Sequence, residues 1–272
     1  MLRNSLTKPM NRRNFNVLAL SAASLSAFAQ EKESFHINYD NTDLFLLIGQ
    51  SNMSGRGNVE EMDKVIHSRV FSFTQNGSMT PAIDPIHFDK PKVAGVGPGR
   101  TFGISVSNSM KDRNILLVPC AVGGSPIDSW RPNAFYKENN CYPYDDMVKR
   151  IQLASEFGRF KGVLWHQGES DSNLHLSGTY KQKLIDLILN VRRVTSASEA
   201  PFLIGQLGQW PEKPWDEWRM KVNQSQVEIC KELENVKFVT SQGLRPKEDL
   251  IHFNSASART LGERYAQTFL NA

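Results

Sequence analysis

The sequence predicts an α/β fold, with a parallel sheet covered by helices on both faces. Three observations carry this. Apolar runs of strand length recur along the chain, helical stretches alternate with them, and 272 residues suffice for one sizeable core without any internal repeat. Strands alternating with helices imply right-handed βαβ crossovers, which cover both sides of a sheet.

Taken in order, the first run, Leu44–Ile48, is apolar throughout, as a strand buried on both faces must be, and it stops at Gly49. Val70–Phe73 is a weaker strand candidate. Residues 75–98 are rich in Pro, Gly and Asp and read as a long surface loop, a kind of segment that is often functional. Thr101–Lys111 reads as a helix leading into a strand at Ile115–Val118, and Tyr144–Phe157 as a helix leading into Val163–Trp165. The helix over Gly178–Val194 has Tyr180, Leu184, Leu187, Ile188 and Val191 at helical spacing. Phe202–Gln206 and Val236–Thr240 complete the strands, with helices at Trp215–Glu234 and Ser255–Leu270.

The first 29 residues stand apart. They carry Arg3, Lys8, Arg12 and Arg13 and no acid, followed by an apolar, small-residue stretch from Phe15 to Phe28 and a small-x-small site at Ala27-Phe-Ala29. This reads as an export signal, with Arg12-Arg13-Asn-Phe15 similar to the twin-arginine type, and residues 30–272 read as a single domain. The whole chain is formally +4, and those four positive charges account for it, so the remainder is near neutral. The basic balance therefore argues for neither a nucleic-acid nor a membrane partner. The three cysteines, Cys120, Cys141 and Cys230, form no CxxC pair, which disfavours a cysteine zinc site and leaves their pairing open.

The chemistry gathers at the predicted strand ends. The first strand runs into Gly49-Gln50-Ser51, the second into Ala121-Val-Gly-Gly-Ser125, and the third into His166-Gln-Gly-Glu-Ser-Asp171. Asp249-Leu-Ile-His252 is the last turn before the final helix. In a parallel sheet these segments share one edge, the edge at which open α/β sheets bind ligands. Ser51 is the candidate nucleophile, His252 its base, and Asp249 the carboxylate that orients the imidazole. The candidate oxyanion donors are the backbone N–H of Ser51, a glycine N–H from Gly123-Gly124, and the side-chain amide of Gln167. Ser54 and Ser125 rank below Ser51 because each lies beyond its strand end. No cofactor or metal is called for.

The run Gly49-Gln-Ser-Asn-Met-Ser-Gly-Arg-Gly57 resembles the first block of the SGNH/GDSL hydrolases, and more narrowly the sialate O-acetylesterase and carbohydrate esterase family 6 (acetylxylan esterase) branch. Gly95-Val-Gly-Pro-Gly99, Val118-Pro-Cys-Ala-Val-Gly-Gly124, Trp165-His-Gln-Gly-Glu-Ser-Asp171 and Asp249-Leu-Ile-His-Phe-Asn254 resemble further blocks of that branch. The resemblance implies a flavodoxin-like three-layer α/β/α sandwich and a metal-free esterase. It matches Ser51 to the nucleophile, His252 to the base, Asp249 to its partner and Gly124 to the oxyanion glycine, with Gly123 as alignment rival. Gln167 stands where many SGNH enzymes have an asparagine.

The implied substrate is an acetylated carbohydrate, acetylated xylan ahead of sialic acid. Trp130 and Trp210, with Trp215 and Trp218, are candidates to stack on sugar rings, and Arg100 and Arg131 to bind a carboxylate. The alternatives are another SGNH lipid or aryl esterase or acyltransferase, and a non-catalytic carbohydrate-binding module on the same fold.

Overall fold

The computed structural model describes residues 38–272; the stretch read as an export signal lies outside the described residues. Its organising element is strand β1 (Thr42–Gly49), buried along its whole length. Strand β1 pairs in parallel with β4 (Asn114–Pro119) on one side and β5 (Arg159–His166) on the other. Beyond β5 lie β6 (Phe202–Gly205) and β7 (Val236–Val239), both parallel. Beyond β4 lies β2 (Val70–Phe73), with β3 (Met79–Pro81) antiparallel at the edge. The sheet order is β3-β2-β4-β1-β5-β6-β7. Setting the β2–β3 hairpin aside, the remaining strands follow the flavodoxin-like doubly wound order.

The alternation of side chains along β1 divides the core into two layers. Leu44, Leu46 and Ile48 join a cluster with helices α3 (Pro143–Ala154), α4 (Tyr180–Thr195) and α5 (Glu217–Glu232), through residues such as Met147, Leu184 and Val222. Phe45 and Leu47 face the other way, against α2 (Pro98–Ser109) and α6 (Ser255–Leu270), through Phe102, Val106, Leu261 and Tyr265. This is the three-layer arrangement that the resemblance implied. No helix among the described residues is long and apolar enough to cross a membrane.

Most predicted elements recur with shifted ends, whereas Val70–Phe73 and Ser255–Leu270 keep both. One segment differs in kind. Residues 75–98 are not wholly a surface loop: Met79–Pro81 pairs with β2, and Ala82, Ile86 and Val96 are buried. Those scattered apolar residues, without strand periodicity, give the stretch the local look of a loop, and only its docking against the sheet shows otherwise.

The switch point of the winding falls at the carboxyl end of β1, because β4 and β5 lie on opposite sides of it. Gly49 terminates the strand with φ +126°, and a Cβ there would overlap the His166 carbonyl of β5. The chain leaves the sheet at this point with Ser51 next in reach, at the first position of the four-residue helix α1 (Ser51–Ser54).

Helices α2 and α6 pack closely because Gly262 has no side chain: a methyl there would overlap the Pro98 carbonyl and press on the Phe102 backbone. Gly262→Ala is predicted to destabilise the protein by about 1–3 kcal/mol, read as a lower urea midpoint with an unchanged m-value. An unaltered midpoint would contradict this packing.

Candidate active site

The turn that carries His252 is built by Asp249. One carboxylate oxygen, Oδ1, accepts the backbone N–H groups of Ile251 (2.8 Å) and His252 (2.9 Å), and Leu250, directly after Asp249, takes a left-handed conformation (φ +53°). The other oxygen, Oδ2, lies 2.7 Å from His252 Nδ1. The opposite ring nitrogen, Nε2, lies 2.9 Å from Ser51 Oγ, across 201 positions of sequence. With Nδ1–H donating to Asp249, Nε2 is free to accept the serine proton. Burial pushes the Asp249 carboxyl up, but the hydrogen bonds from His252 and the two backbone N–H groups outweigh it, so the group stays below its ordinary range and ionised.

Asn52 braces this arrangement. Its Nδ2 donates to Glu169 Oε1 (2.6 Å) and to the Ile251 carbonyl (3.2 Å), and its Oδ1 accepts the Phe253 N–H (3.1 Å). The residue after the serine thus clamps the turn on both sides of the histidine. Nothing in the sequence singled it out, because its partners lie 117 to 201 positions away; its place beside Ser51 in a buried helix was the only signal.

Across the cleft, Asp89 fixes the glycine turn after β4. Its Oδ2 accepts the Gly123 N–H (2.7 Å) and an Arg56 guanidinium N–H (2.8 Å). Arg56 is itself anchored to Ser54 Oγ and the Gly55 carbonyl, each at 2.6 Å. Burial pushes the Asp89 carboxyl up, yet the Arg56 charge and hydrogen bond prevail and hold it below the ordinary range. The two glycines differ in the state of their N–H groups. The Gly123 N–H is committed to Asp89, whereas the Gly124 N–H has no acceptor among the described residues. Ser51, Gly124 and His252 line one open cleft of about 470 Å³ with Lys90, Lys213 and Arg219.

Four sequence assignments need correction. Gln167 is fully buried, and its amide nitrogen is spent on the Ser125 carbonyl (3.1 Å) and Asp171 Oδ2 (2.5 Å), so it offers no donor to the cleft. Trp130 and Trp210 are core residues, 1% and 2% exposed, with indole N–H groups bonded to Ser125 Oγ and the Leu250 carbonyl, and neither presents a face to a sugar. Arg100 is buried, donates from Nε and Nη2 to the Ala82 and Val65 carbonyls, and does not line the cleft, so it presents no guanidinium to a substrate carboxylate there. The rival serines are occupied as well: Ser54 Oγ accepts from Arg56, and Ser125 Oγ accepts from Trp130. The three cysteines are free thiols. No cluster able to hold a metal ion occurs among the described residues.

Residues 41–271 match the family described as "carbohydrate esterase, sialic acid-specific acetylesterase". The chain belongs to this family. Membership makes it a carbohydrate esterase, acting on a carboxylic ester, and agrees with the resemblance read from the sequence blocks. A probable carbohydrate esterase from Arabidopsis thaliana is 32% identical over 251 residues, covering 84% of this chain and 90% of the relative. An Arabidopsis thaliana X-ray structure superposes with a TM-score of 0.74 at 30% identity, covering 85% of this chain and 98% of that one. A carbohydrate acetylesterase from Xanthomonas citri superposes with a TM-score of 0.66 at 20% identity, covering 83% of this chain and 55% of that one, a likeness of fold alone.

The Asp89–Arg56 pair is the buried electrostatic element of this esterase, with side chains 3% and 7% exposed. Asp89→Asn is predicted to lower stability at pH 7 by about 3–5 kcal/mol, because it strands a buried guanidinium. The folded-state pKa of Asp89 is depressed, so its contribution is complete above the ordinary value of 3.8 and is lost as pH falls through the folded value. Denaturant titrations from pH 7 to pH 3 are expected to show the gap between wild type and variant narrowing below the ordinary carboxylate value; a gap independent of pH would refute the assignment.

Proposed function

We propose that this chain is a carbohydrate O-acetylesterase in which Ser51 is the nucleophile, His252 the general base and acid, and Asp249 its orienting partner. The observation that carries the reading is the unbroken line of contacts from Ser51 Oγ to His252 Nε2 (2.9 Å) and from His252 Nδ1 to Asp249 Oδ2 (2.7 Å). A neutral hydroxyl is a weak nucleophile and needs a base within hydrogen-bond reach. In the first half-reaction Ser51 Oγ attacks the acetyl carbonyl carbon and its proton passes to His252 Nε2. The carbonyl oxygen becomes an oxyanion, met by the backbone N–H groups of Ser51 and Gly124. The intermediate then collapses, breaking the bond to the sugar oxygen, which takes the proton from His252 and leaves as an alcohol. In the second half-reaction water, deprotonated by His252, releases acetate and regenerates Ser51. Asp249, ionised and close to Nδ1, stabilises the imidazolium formed in each half.

Acetylated xylan remains the substrate to test first. The cleft also favours a second reading: Lys90, Lys213 and Arg219 line it, so an acetylated sugar bearing a carboxylate, such as a sialate or a glucuronate-substituted xylan, would find charge complementarity there. Reading the first 29 residues as an export signal places this activity outside the cytoplasm. Acetate release from acetylated xylan, acetylated sialic acid and 4-nitrophenyl acetate tests the proposal. Ser51→Ala is expected to reduce kcat by at least about 10³-fold, and Asp249→Asn by on the order of 10³–10⁴-fold. Equal activity of Ser51→Ala and wild type would overturn it in favour of a binding module, and preference for 4-nitrophenyl laurate over the acetate would favour a lipid esterase.

A further inference from the structure

A second cavity, of about 420 Å³, lies behind the glycine turn and opens to solvent beside Gln75, Asn140 and Lys149. It shares with the catalytic cleft only the wall between them: Asp89, Ala121 and Val122 face the cavity, whereas Lys90, Gly123 and Gly124 face the cleft. Its volume falls within the range of small-molecule sites, roughly 300–1,000 Å³.

The cavity's polar groups are unequally satisfied. Asp89 uses Oδ2 on Gly123 and Arg56, while its Oδ1 is buried and faces no hydrogen-bond donor among the described residues. Asn139 spends its Nδ2 on the Asp89 carbonyl (3.4 Å), and its buried Oδ1 is likewise unmet. Asp89 Oδ1 and Asn139 Oδ1 are therefore acceptors wanting donors, and His87, with both ring nitrogens buried and unmet, adds one donor and one acceptor, in a place where an unmet polar atom costs about 1–3 kcal/mol.

Charge narrows the class of occupant. An anion finds no free cation at depth, because Arg150 gives Nε, Nη1 and Nη2 to the carbonyls of Pro119, Thr74 and Phe73. A cation meets the Asp89 and Asp146 carboxylates, but Arg150 and Lys149 in the lining and Arg56 behind Asp89 offset them, and no cluster able to hold a metal ion occurs among the described residues. His87, also in the lining, is kept neutral by burial, which pushes its pKa down to about 4. What remains is a neutral molecule rich in hydroxyl donors. We propose that this cavity is a second binding site, distinct from the catalytic cleft, for an uncharged polyhydroxylated ligand such as a free monosaccharide, whose hydroxyls donate to Asp89 Oδ1 and Asn139 Oδ1.

Cys141 lines the cavity but not the cleft, so it serves as a reporter, and Cys230 on α5 serves as a control. The experiment follows iodoacetamide alkylation of each thiol by peptide mass spectrometry in the Ser51→Ala protein, so the outcome does not depend on esterase activity. D-xylose, D-galactose, glycerol and inorganic phosphate are titrated as probes. At least one neutral probe is expected to slow Cys141 along a saturable curve, about fivefold at four times the half-saturating concentration, while Cys230 is unaffected. Asn139→Leu, checked for folding by circular dichroism, is expected to abolish that protection. The proposal fails if no neutral probe protects Cys141, which means that the cavity holds water alone. It also fails if Cys141 and Cys230 slow together, if phosphate protects better than the sugars, or if protection survives Asn139→Leu.

Discussion

The parallel pairing of β1 with both β4 and β5 is the constraint on which the site depends. The ladder does not end with the strands: the Cys120 N–H bonds to the Leu47 carbonyl, the Val122 N–H to the Gly49 carbonyl, and the Gln50 N–H to the His166 carbonyl, each at 2.9 Å. The segments carrying Ser51 and the glycine turn are thus continuations of sheet hydrogen bonding rather than free loops, and the segment after His166 leaves from the same ladder. A site built on such extensions inherits the rigidity of the core beneath it. The histidine turn is not part of the sheet, and Asn52 supplies by side chain what the ladder supplies elsewhere by backbone.

Three carboxylates around this edge show how partners decide protonation. Asp89 and Asp249 are both pushed up by burial, and both end below the ordinary range because a guanidinium in one case, and an imidazole with two backbone N–H groups in the other, overrides it. Asp171 has hydrogen bonds from the Ile127 N–H and the Gln167 amide but no cation in contact, and burial carries its pKa up to about 6. At fully buried Asp171 neutral donors only partly offset desolvation; at Asp249, which is part-exposed, three donors suffice, and at Asp89 a guanidinium at contact distance outweighs burial. Asp249 is therefore the carboxylate of the three that holds its negative charge against an imidazole ring nitrogen.

Much of this architecture was legible in the sequence, for identifiable reasons. A strand buried on both faces must be apolar throughout, and Leu44–Ile48 is; a helix with one buried face must repeat its apolar residues, and Tyr180 to Val191 do. Asp249 and His252 were legible because their contact is local, made within one turn. What could not be read was how donors are shared out over long range. Gln167 has the right group for an oxyanion donor, but only the fold shows that Asp171 and Ser125 have already taken it. Trp130 and Trp210 follow predicted strands, yet their indole N–H groups find partners in the interior. Asp89, in a segment that looked like an exposed loop, turns out to hold the glycine turn.

The Asp89–Arg56 pair bears on why this turn is organised as it is. A buried ion pair seldom adds net stability, since desolvating two charges offsets their attraction. A well-packed apolar pair in the same place would serve the core as well, but it could not accept the Gly123 N–H. With that N–H bound by a carboxylate, the peptide plane before Gly123 is fixed, and the Gly124 N–H is left without an acceptor among the described residues. A donor presented to the cleft does useful work only if it is already oriented before charge develops on the substrate. The pair is therefore better understood as a device of orientation than of stability, and the same carboxylate, through its second oxygen, sets the polarity of the cavity behind the turn.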